Sequence, residues 1–262
     1  MRSEERQRYI LQTANLEGFV SIADSAKALE VSIETVRRDI NKMCEKKLLQ
    51  KSRGGAAPIK HNFRKDIDYS LRVHHNKKER FAIGMAAASM IQNGSIVALD
   101  CGVSIQAIAS CVTDVSNVTF VTNSLPTAYI LLEKIENREI DAKLIFVGGE
   151  IDIKNRFSKG ASAIEIVDSF FFDLSFISCT AVSAGGVASY SIDEASFSKR
   201  LMSRSAESIL IAESDKMGKN SFSSFADISD FERIISDDKI QLPADIEKKL
   251  RTSGTELVVV KC

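Results

Sequence analysis

The sequence has no apolar run approaching about 18 residues, the length a helix needs to cross a bilayer, so a membrane-spanning helix is excluded. It has no CxxC pair. Its five cysteines (Cys44, Cys101, Cys111, Cys179, Cys262) are odd in number and widely spaced, which fits neither a disulfide framework nor a thiolate metal site. The opening residues, MRSEERQRYI, are charged and lack an apolar core, so no secretory signal is expected. The expectation is a cytoplasmic protein with reduced thiols and no bound cofactor. Net charge is missing too, since 35 Lys+Arg balance 35 Asp+Glu. What remains is an ordinary globular mixture, 44% apolar and 27% charged over 262 residues. That excludes wholesale disorder and suits one large domain or two unequal ones with real cores.

The neutral total conceals an asymmetry. Residues 1–80 hold 18 Lys+Arg against 11 Asp+Glu, a net of +7, and residues 81–262 hold 17 against 24, a net of −7. All three histidines (His61, His74, His75) lie in the basic part. A basic segment on an acidic body points to a polyanionic partner, although a solvated charged face would give the same count. The pattern within the segment decides.

A first helix is expected over residues 3–15, stopping near Gly18, a residue suited to a left-handed C-cap. Ser21 then opens SIADSAKAL as an N-cap, with Asp24 three residues on in a capping-box arrangement. Ile22, Ala26 and Leu29 form its short apolar stripe. Ser32 caps a third helix, SIETVRRDINKMCEKK, only a few residues later, the spacing of a helix-turn-helix. On this helix Ile33, Val36, Ile40 and Met43 fall in one narrow arc. The opposite arc carries Glu34, Thr35, Arg38, Asn41 and Lys42, with Arg37 nearer the apolar edge. Any amphipathic helix turns polar residues outward. Behind a capped helix and a tight turn, however, this set suits the major groove: Arg bonds guanine bidentately, Asn pairs with adenine, and Thr or Lys holds phosphates. LLQKSRGGAAPI follows as a β-hairpin wing, laying Lys51 and Arg53 against the adjacent backbone or minor groove.

VSIETVRRDINKM followed by RGGA resembles the N-terminal winged helix-turn-helix of the DeoR family of bacterial transcription regulators. Ser32, Thr35, Arg37, Arg38 and Asp39 match that family's S-x-x-T-[IV]-R-R-D core. Asp39 is expected to brace the arginines, because phosphate repels a carboxylate. Arg53 stands where the family often has His, which keeps the cation.

Residues 59–76 are polar, basic and aperiodic, and the domain junction is placed there, between a DNA-binding domain at 1–58 and a larger domain at 77–262. The histidines are too poorly spaced to suggest a metal site. Beyond them, Val/Ile-rich runs end at Asp100, Asn123, Gly148, Cys179, Glu213, Asp237 and Lys261, separated mostly by helical stretches at 105–111, 125–135, 161–169 and 194–206. Such runs with helical crossovers imply a doubly wound, mostly parallel sheet covered on both faces, with ligands at the carboxyl ends of the strands. Polar groups collect at those ends in DCGVS (100–104), VTNS (121–124) and VGGE (147–150). Each is nonspecific alone, since strand-to-helix turns use Gly, Asn and Ser as caps. Together they suggest a small-molecule pocket, with anions favoured near 102–105 or 124–125, where helices begin.

The order D-x-G, VTNS, GG, then EASFSKRLMSRSAESILIAESDKMG resembles the DeoR family's C-terminal sensor domain over the rest of the chain. The resemblance implies a fold similar to ribose-5-phosphate isomerase and a phosphorylated sugar as effector. By motif match it nominates Asp100, Gly102, Ser104, Asn123, Ser124, Gly148, Gly149, Glu194, Lys199 and Lys216, with the lysines neutralising phosphate and Asp100 and Asn123 bonding sugar hydroxyls. Three departures stand out. Cys101-Gly102-Val103-Ser104 replaces the usual G-G-T-T, CTAVSAGGV lacks the A-D-G-I aspartate, and Glu213 stands where Asp is common. They put the usual sugar phosphate in question.

The resulting expectation is a ligand-responsive transcription regulator, a repressor of carbohydrate genes acting on double-stranded operator DNA as a homodimer or homotetramer. The competing enzyme reading is a phosphosugar isomerase or deaminase with proton transfer by Glu194 and Lys199 or Lys216. In a third reading the wing domain recruits another protein. The missing A-D-G-I aspartate and the added DNA-binding module both argue against the enzyme.

Overall fold

The computed structural model describes residues 2–46, 48–58 and 69–262. It divides into two compact units, Met1–Arg72 and Val73–Cys262. His61 and most of the segment read as the junction lie outside the described residues.

In the smaller unit, α1 (Ser3–Glu17) ends at Gly18 in the left-handed region, and β1 (Val20–Ser21) leads into α2 (Ile22–Ala28) and α3 (Ile33–Glu45). The hydroxyl of Ser21 accepts the Asp24 amide at 3.3 Å and that of Ser32 accepts the Thr35 amide at 3.2 Å. The Ser21 cap starts α2, and the Ser32 cap starts α3 directly after the short turn that separates the helices. Ile10, Ala14, Ala26, Val36, Ile40 and Met43 close the core. Ile33 does not join them. It is 52% exposed, because it occupies the first turn of α3, before the helix reaches α1. The expected wing is β2 (Leu49–Ser52) and β3 (Gly55–Pro58), paired antiparallel. β1 adds a third strand beside β3 that the sequence did not announce. Gly55 permits this contact: a Cβ there would lie 1.9 Å from the Val20 carbonyl oxygen.

α4 (Tyr69–His74) runs across the boundary at 72/73, and α5 (Lys77–Ala88) follows in the larger unit. Then come β4 (Ile96–Leu99), α6 (Val103–Cys111), β5 (Val118–Thr122), α7 (Leu125–Glu136) and β6 (Ala142–Phe146). A hairpin of β7 (Glu150–Asp152) and β8 (Phe157–Lys159) precedes α8 (Ala161–Asp168) and β9 (Phe172–Ser178). The chain continues through β10 (Ala181–Ser183), β11 (Gly186–Ser189), α9 (Ile192–Ser203) and β12 (Ser205–Ile211). It closes with β13 (Ser223–Ala226), β14 (Arg233–Asp237), α10 (Ala244–Ser253) and β15 (Glu256–Val260).

The seven expected strands form one sheet in the order β15-β14-β12-β9-β4-β5-β6, and every pairing is parallel. Alternation along the strands fills two cores. Val97, Leu99, Phe176, Ile209 and Ile211 meet α5, α6 and α7 on one face. Ala98, Val121, Ile177 and Leu210 meet α8, α9 and α10 on the other. The helix expected at 194–206 stops at Ser203, because the Arg204 carbonyl already accepts the Phe172 amide and the chain has joined the sheet. From β4 the order steps outward to β6 in one direction, and from β9 to β15 in the other. The switch point therefore lies between β4 and β9, where an open α/β sheet leaves a crevice at its carboxyl edge.

Candidate functional site

The described structure carries two candidate sites, one in each unit. In the smaller unit α3 offers an exposed polar face. Arg38, Lys42 and Ser32 are exposed, and Thr35 and Asn41 are half-buried beside them. Ser32 and Thr35 share a hydroxyl–hydroxyl hydrogen bond of 2.8 Å. Glu34 is not an independent contact, since it accepts the Arg37 guanidinium at 2.7 Å. Lys51 and Arg53 are exposed on the hairpin. Ser21 spends its hydroxyl on the α2 cap.

Asp39 corrects the expectation that it braces Arg37 and Arg38. It is buried and accepts the Arg6 guanidinium at 2.7 Å, with Ser3 and Gln7 donating to its other oxygen at 3.0 and 3.3 Å. Burial pushes its carboxyl up, but these hydrogen bonds and the Arg6 charge outweigh burial and leave it below the usual carboxylate range. Asp39 thus fixes α3 to α1 and leaves Arg38 to the outer face.

In the larger unit the nominated residues gather at the switch point, with exceptions. Asp100, just past β4, is fully buried. It accepts the Cys101 and Ser178 amides at 2.8 and 3.1 Å and the Ser178 and Ser198 hydroxyls at 3.4 and 2.8 Å. Burial dominates and pushes its carboxyl up to about 6 against those bonds. Asp100 therefore locks the ends of β4 and β9 to α9, with four donors already directed at it. Asn123, also fully buried, donates its amide to the Ser158 carbonyl at 2.9 Å, and its Oδ1 has no partner. A buried acceptor of that kind is costly unless something donates to it, so it suits a ligand hydroxyl or amine. Ser124 caps α7 through the Thr127 amide and also accepts the Thr127 hydroxyl.

Ser104, in the first turn of α6, donates to Glu213 at 2.6 Å across the end of β9. Lys216 pairs with Glu213 and lies 3.5 Å from the Ser104 hydroxyl. Arg80 of α5 approaches the same carboxylate at 3.9 Å. Burial pushes Glu213 up, and the Lys216 charge with the Lys216 and Ser104 hydrogen bonds more than offsets it, so its carboxyl lies below the usual range. Gly102, at φ 116°, holds a backbone conformation that other residues rarely adopt, and a Cβ there would sit a tight 3.1 Å from the Ser178 hydroxyl.

Lys199 is not brought in. It is exposed on α9, while its neighbour Ser198 faces Asp100. Glu194 is half-buried in the first turn of α9. Gly148 and Gly149 lie between β6 and the β7–β8 hairpin, and Gly149 is packed rather than flexible, since a Cβ would meet the Lys159 carbonyl at 2.6 Å. Arg80, Ser178 and Ser198 were not nominated. Arg80 carries no local motif in the sequence, and the two serines are signalled only by their place at a strand end and on α9.

A capped helix-turn-helix with a wing, followed in the chain by a doubly wound domain with a polar switch point, is an architecture suited to a DNA-binding regulator. Residues 6–62 match the DeoR-like helix-turn-helix domain and residues 75–238 the DeoR C-terminal sensor domain. The chain belongs to the DeoR family of transcription regulators. It is 30% identical over 266 residues to the HTH-type transcriptional repressor GlcR of Bacillus subtilis, covering 100% of this chain and 98% of that one. It is 28% identical over 260 residues to the lactose phosphotransferase system repressor of Staphylococcus aureus, covering 99% and 100%. A solved ribose 5 phosphate isomerase A from Neisseria gonorrhoeae aligns with a TM-score of 0.39 and 10% identity over 55% of each chain, too slight a likeness to bear on function. The chain is a DNA-binding regulator and not an enzyme. Among the described residues no helix is long and apolar enough to cross a membrane.

Proposed function

We propose that this regulator represses genes of carbohydrate metabolism in the cytoplasm and is controlled by a small phosphorylated sugar or related metabolite. Residues 1–58 bind double-stranded operator DNA, residues 59–76 connect, and residues 77–262 sense and oligomerise. α3 enters the major groove, where Arg38 and Asn41 read base edges and Ser32, Thr35, Arg37 and Lys42 hold the backbone. Lys51 and Arg53 of the wing add phosphate or minor-groove contacts. A homodimer or homotetramer presents two such modules to repeated half-sites, since one small module gains little specificity alone.

The effector sits at the β4–β9 switch point. Its phosphate is held by the first turn of α6 with Ser104 and Lys216, and a hydroxyl donates to Asn123. The observation that carries this is the meeting of Ser104 and Lys216 at one point beside a helix N-terminus, with an unsatisfied buried acceptor at the end of the neighbouring strand. The name of the lactose phosphotransferase system repressor supports the sugar connection. The effector shifts the regulator between states that do and do not fit the operator, through its different affinity for each.

The test is binding of the purified chain to DNA from around its own gene, at two salt concentrations, with and without a panel of sugar phosphates. Salt-sensitive, sequence-preferring binding that one phosphosugar alters is the expected result. Binding without sequence preference would reject the regulator reading, and indifference to every phosphosugar would reject the ligand class.

A further inference from the structure

The donors that make the switch point attractive to an anion already surround one. Ser104 comes from α6, Lys216 from the turn after β12 and Arg80 from α5, and all three converge on the Glu213 carboxylate. Arg80, Lys216 and Glu213 are largely shut off from water, at 8%, 12% and 3% side-chain exposure. A carboxylate held by a hydroxyl and two cations is electrostatically what a phosphate oxygen would be in the same place. Both cannot draw fully on one donor set.

Arg80 extends the arrangement. Its second terminal nitrogen, Nη2, donates to the Val73 carbonyl at 3.0 Å. His75 lies 3.7 Å from Asp215, two residues beyond Glu213. Residues 73–80 therefore approach the 213–216 turn at two points, Arg80 at Glu213 and His75 at Asp215. Those residues open the larger unit and follow directly in the chain on Arg72, the last residue of the smaller unit.

We propose that the Glu213 carboxylate is a built-in counter-anion occupying the donor set of the effector site, and that an anionic effector acts by displacing it, which frees Arg80 and loosens the hold of the 213–216 turn on residues 73–80. This rests on the reading of the switch point as an anion site. Because Glu213 is tethered, it competes at a high effective concentration. A ligand must bring more charge than one carboxylate to win. A phosphate monoester, with close to two negative charges at neutral pH, meets that condition, and a sugar acid with a single carboxylate does not. Glu213 is then a specificity-determining residue as well as the first element of the signal.

The test uses the full chain and inorganic phosphate as the probe, by calorimetry and by amide hydrogen exchange. Glu213→Gln keeps the shape and removes the competing charge, so it should tighten phosphate binding by at least about tenfold. Exchange in residues 73–80 should be faster in Glu213→Gln without ligand than in the unaltered chain, and faster in the unaltered chain with phosphate than without. Phosphate binding that Lys216→Ala weakens and Glu213→Gln leaves unchanged would overturn the counter-anion while the anion site stands. Phosphate binding to neither protein would overturn the anion site and the counter-anion with it. If Glu213→Gln does not fold, the unaltered chain decides: unchanged or slower exchange in residues 73–80 at saturating phosphate overturns the release.

Discussion

Asp39 on α3 and Arg6 on α1 form a buried ion pair of 2.7 Å, in which Arg6 retains 14% side-chain exposure and Asp39 only 4%. The pair orients α3 from behind, on the side away from Arg38. Removing the carboxylate takes away the charge that faces Arg6 in a largely buried setting, at a cost of roughly 3 kcal/mol. Asp39→Asn should therefore lower the stability of the smaller unit by about that amount in denaturant titrations monitored on that unit. The native carboxyl lies below its ordinary range, so its stabilising contribution is complete above the unfolded-state pKa and is lost as pH falls through the native one. The variant should lose that acid-side slope. An unchanged midpoint would show that α1 and α3 are held by their apolar contacts alone.

Arg38→Ala and Lys51→Ala separate reading from holding. Arg38 lies at the centre of the exposed face of α3, so its loss should weaken operator binding by about 1–3 kcal/mol and relax sequence preference at one position. Lys51 on the wing should instead weaken binding to every DNA about equally and reduce the salt slope by about one. Competition assays across salt concentrations distinguish the two. Equal effects on operator and random DNA for Arg38→Ala would remove it from base readout.

Much of this architecture was legible because it rests on periodic signals. The seven sheet strands are short runs rich in Val, Ile, Leu and Phe, and α3 has one narrow apolar arc behind its Ser32 cap. What escaped was short or distant. β7, β8 and β10 are three residues each, too short for alternation to register. Lys199 and Ser198 differ by one residue, yet about 100° of helix rotation turns the lysine to solvent and the serine to Asp100. The grip of Arg80 on Glu213 joins α5 to the end of β12, elements far apart in the chain, and no local pattern marks such a contact.

Asp100 gives the larger unit a pH dependence of opposite sign to that of Asp39. Its native pKa of about 6 lies above the ordinary 3.8, so the folded state holds the proton more tightly than the unfolded chain. Stability from this group is greatest below about pH 4 and declines as pH rises to about 6, by roughly 3 kcal/mol in all. Other carboxylates slope the other way, so the difference between the unaltered chain and Asp100→Asn isolates the effect. Unfolding free energies of the two proteins should converge in the acid and diverge toward neutrality in favour of Asn. Parallel curves would show that the four donors keep Asp100 ionised at an ordinary pKa.

Gly55 tests whether the wing must sit where it does. Its φ is not in the left-handed region, so the residue is required by proximity: β1 runs so close that a Cβ would fall 1.9 Å from the Val20 carbonyl oxygen. Gly54, at φ 80° with open space around it, differs in kind and constrains only the turn. Gly55→Ala must push β3 from β1 and break the Val20–Ala56 register, whereas Gly54→Ala strains one residue by about 1 kcal/mol. Overpacking of this sort costs roughly 1–3 kcal/mol and moves backbone. If Lys51 and Arg53 act from a fixed wing, Gly55→Ala should match the double substitution of those cations in its loss of DNA affinity and salt slope, and Gly54→Ala should not. A Gly55→Ala protein with unaltered DNA binding would show that the hairpin adapts to DNA and that its register with β1 is dispensable.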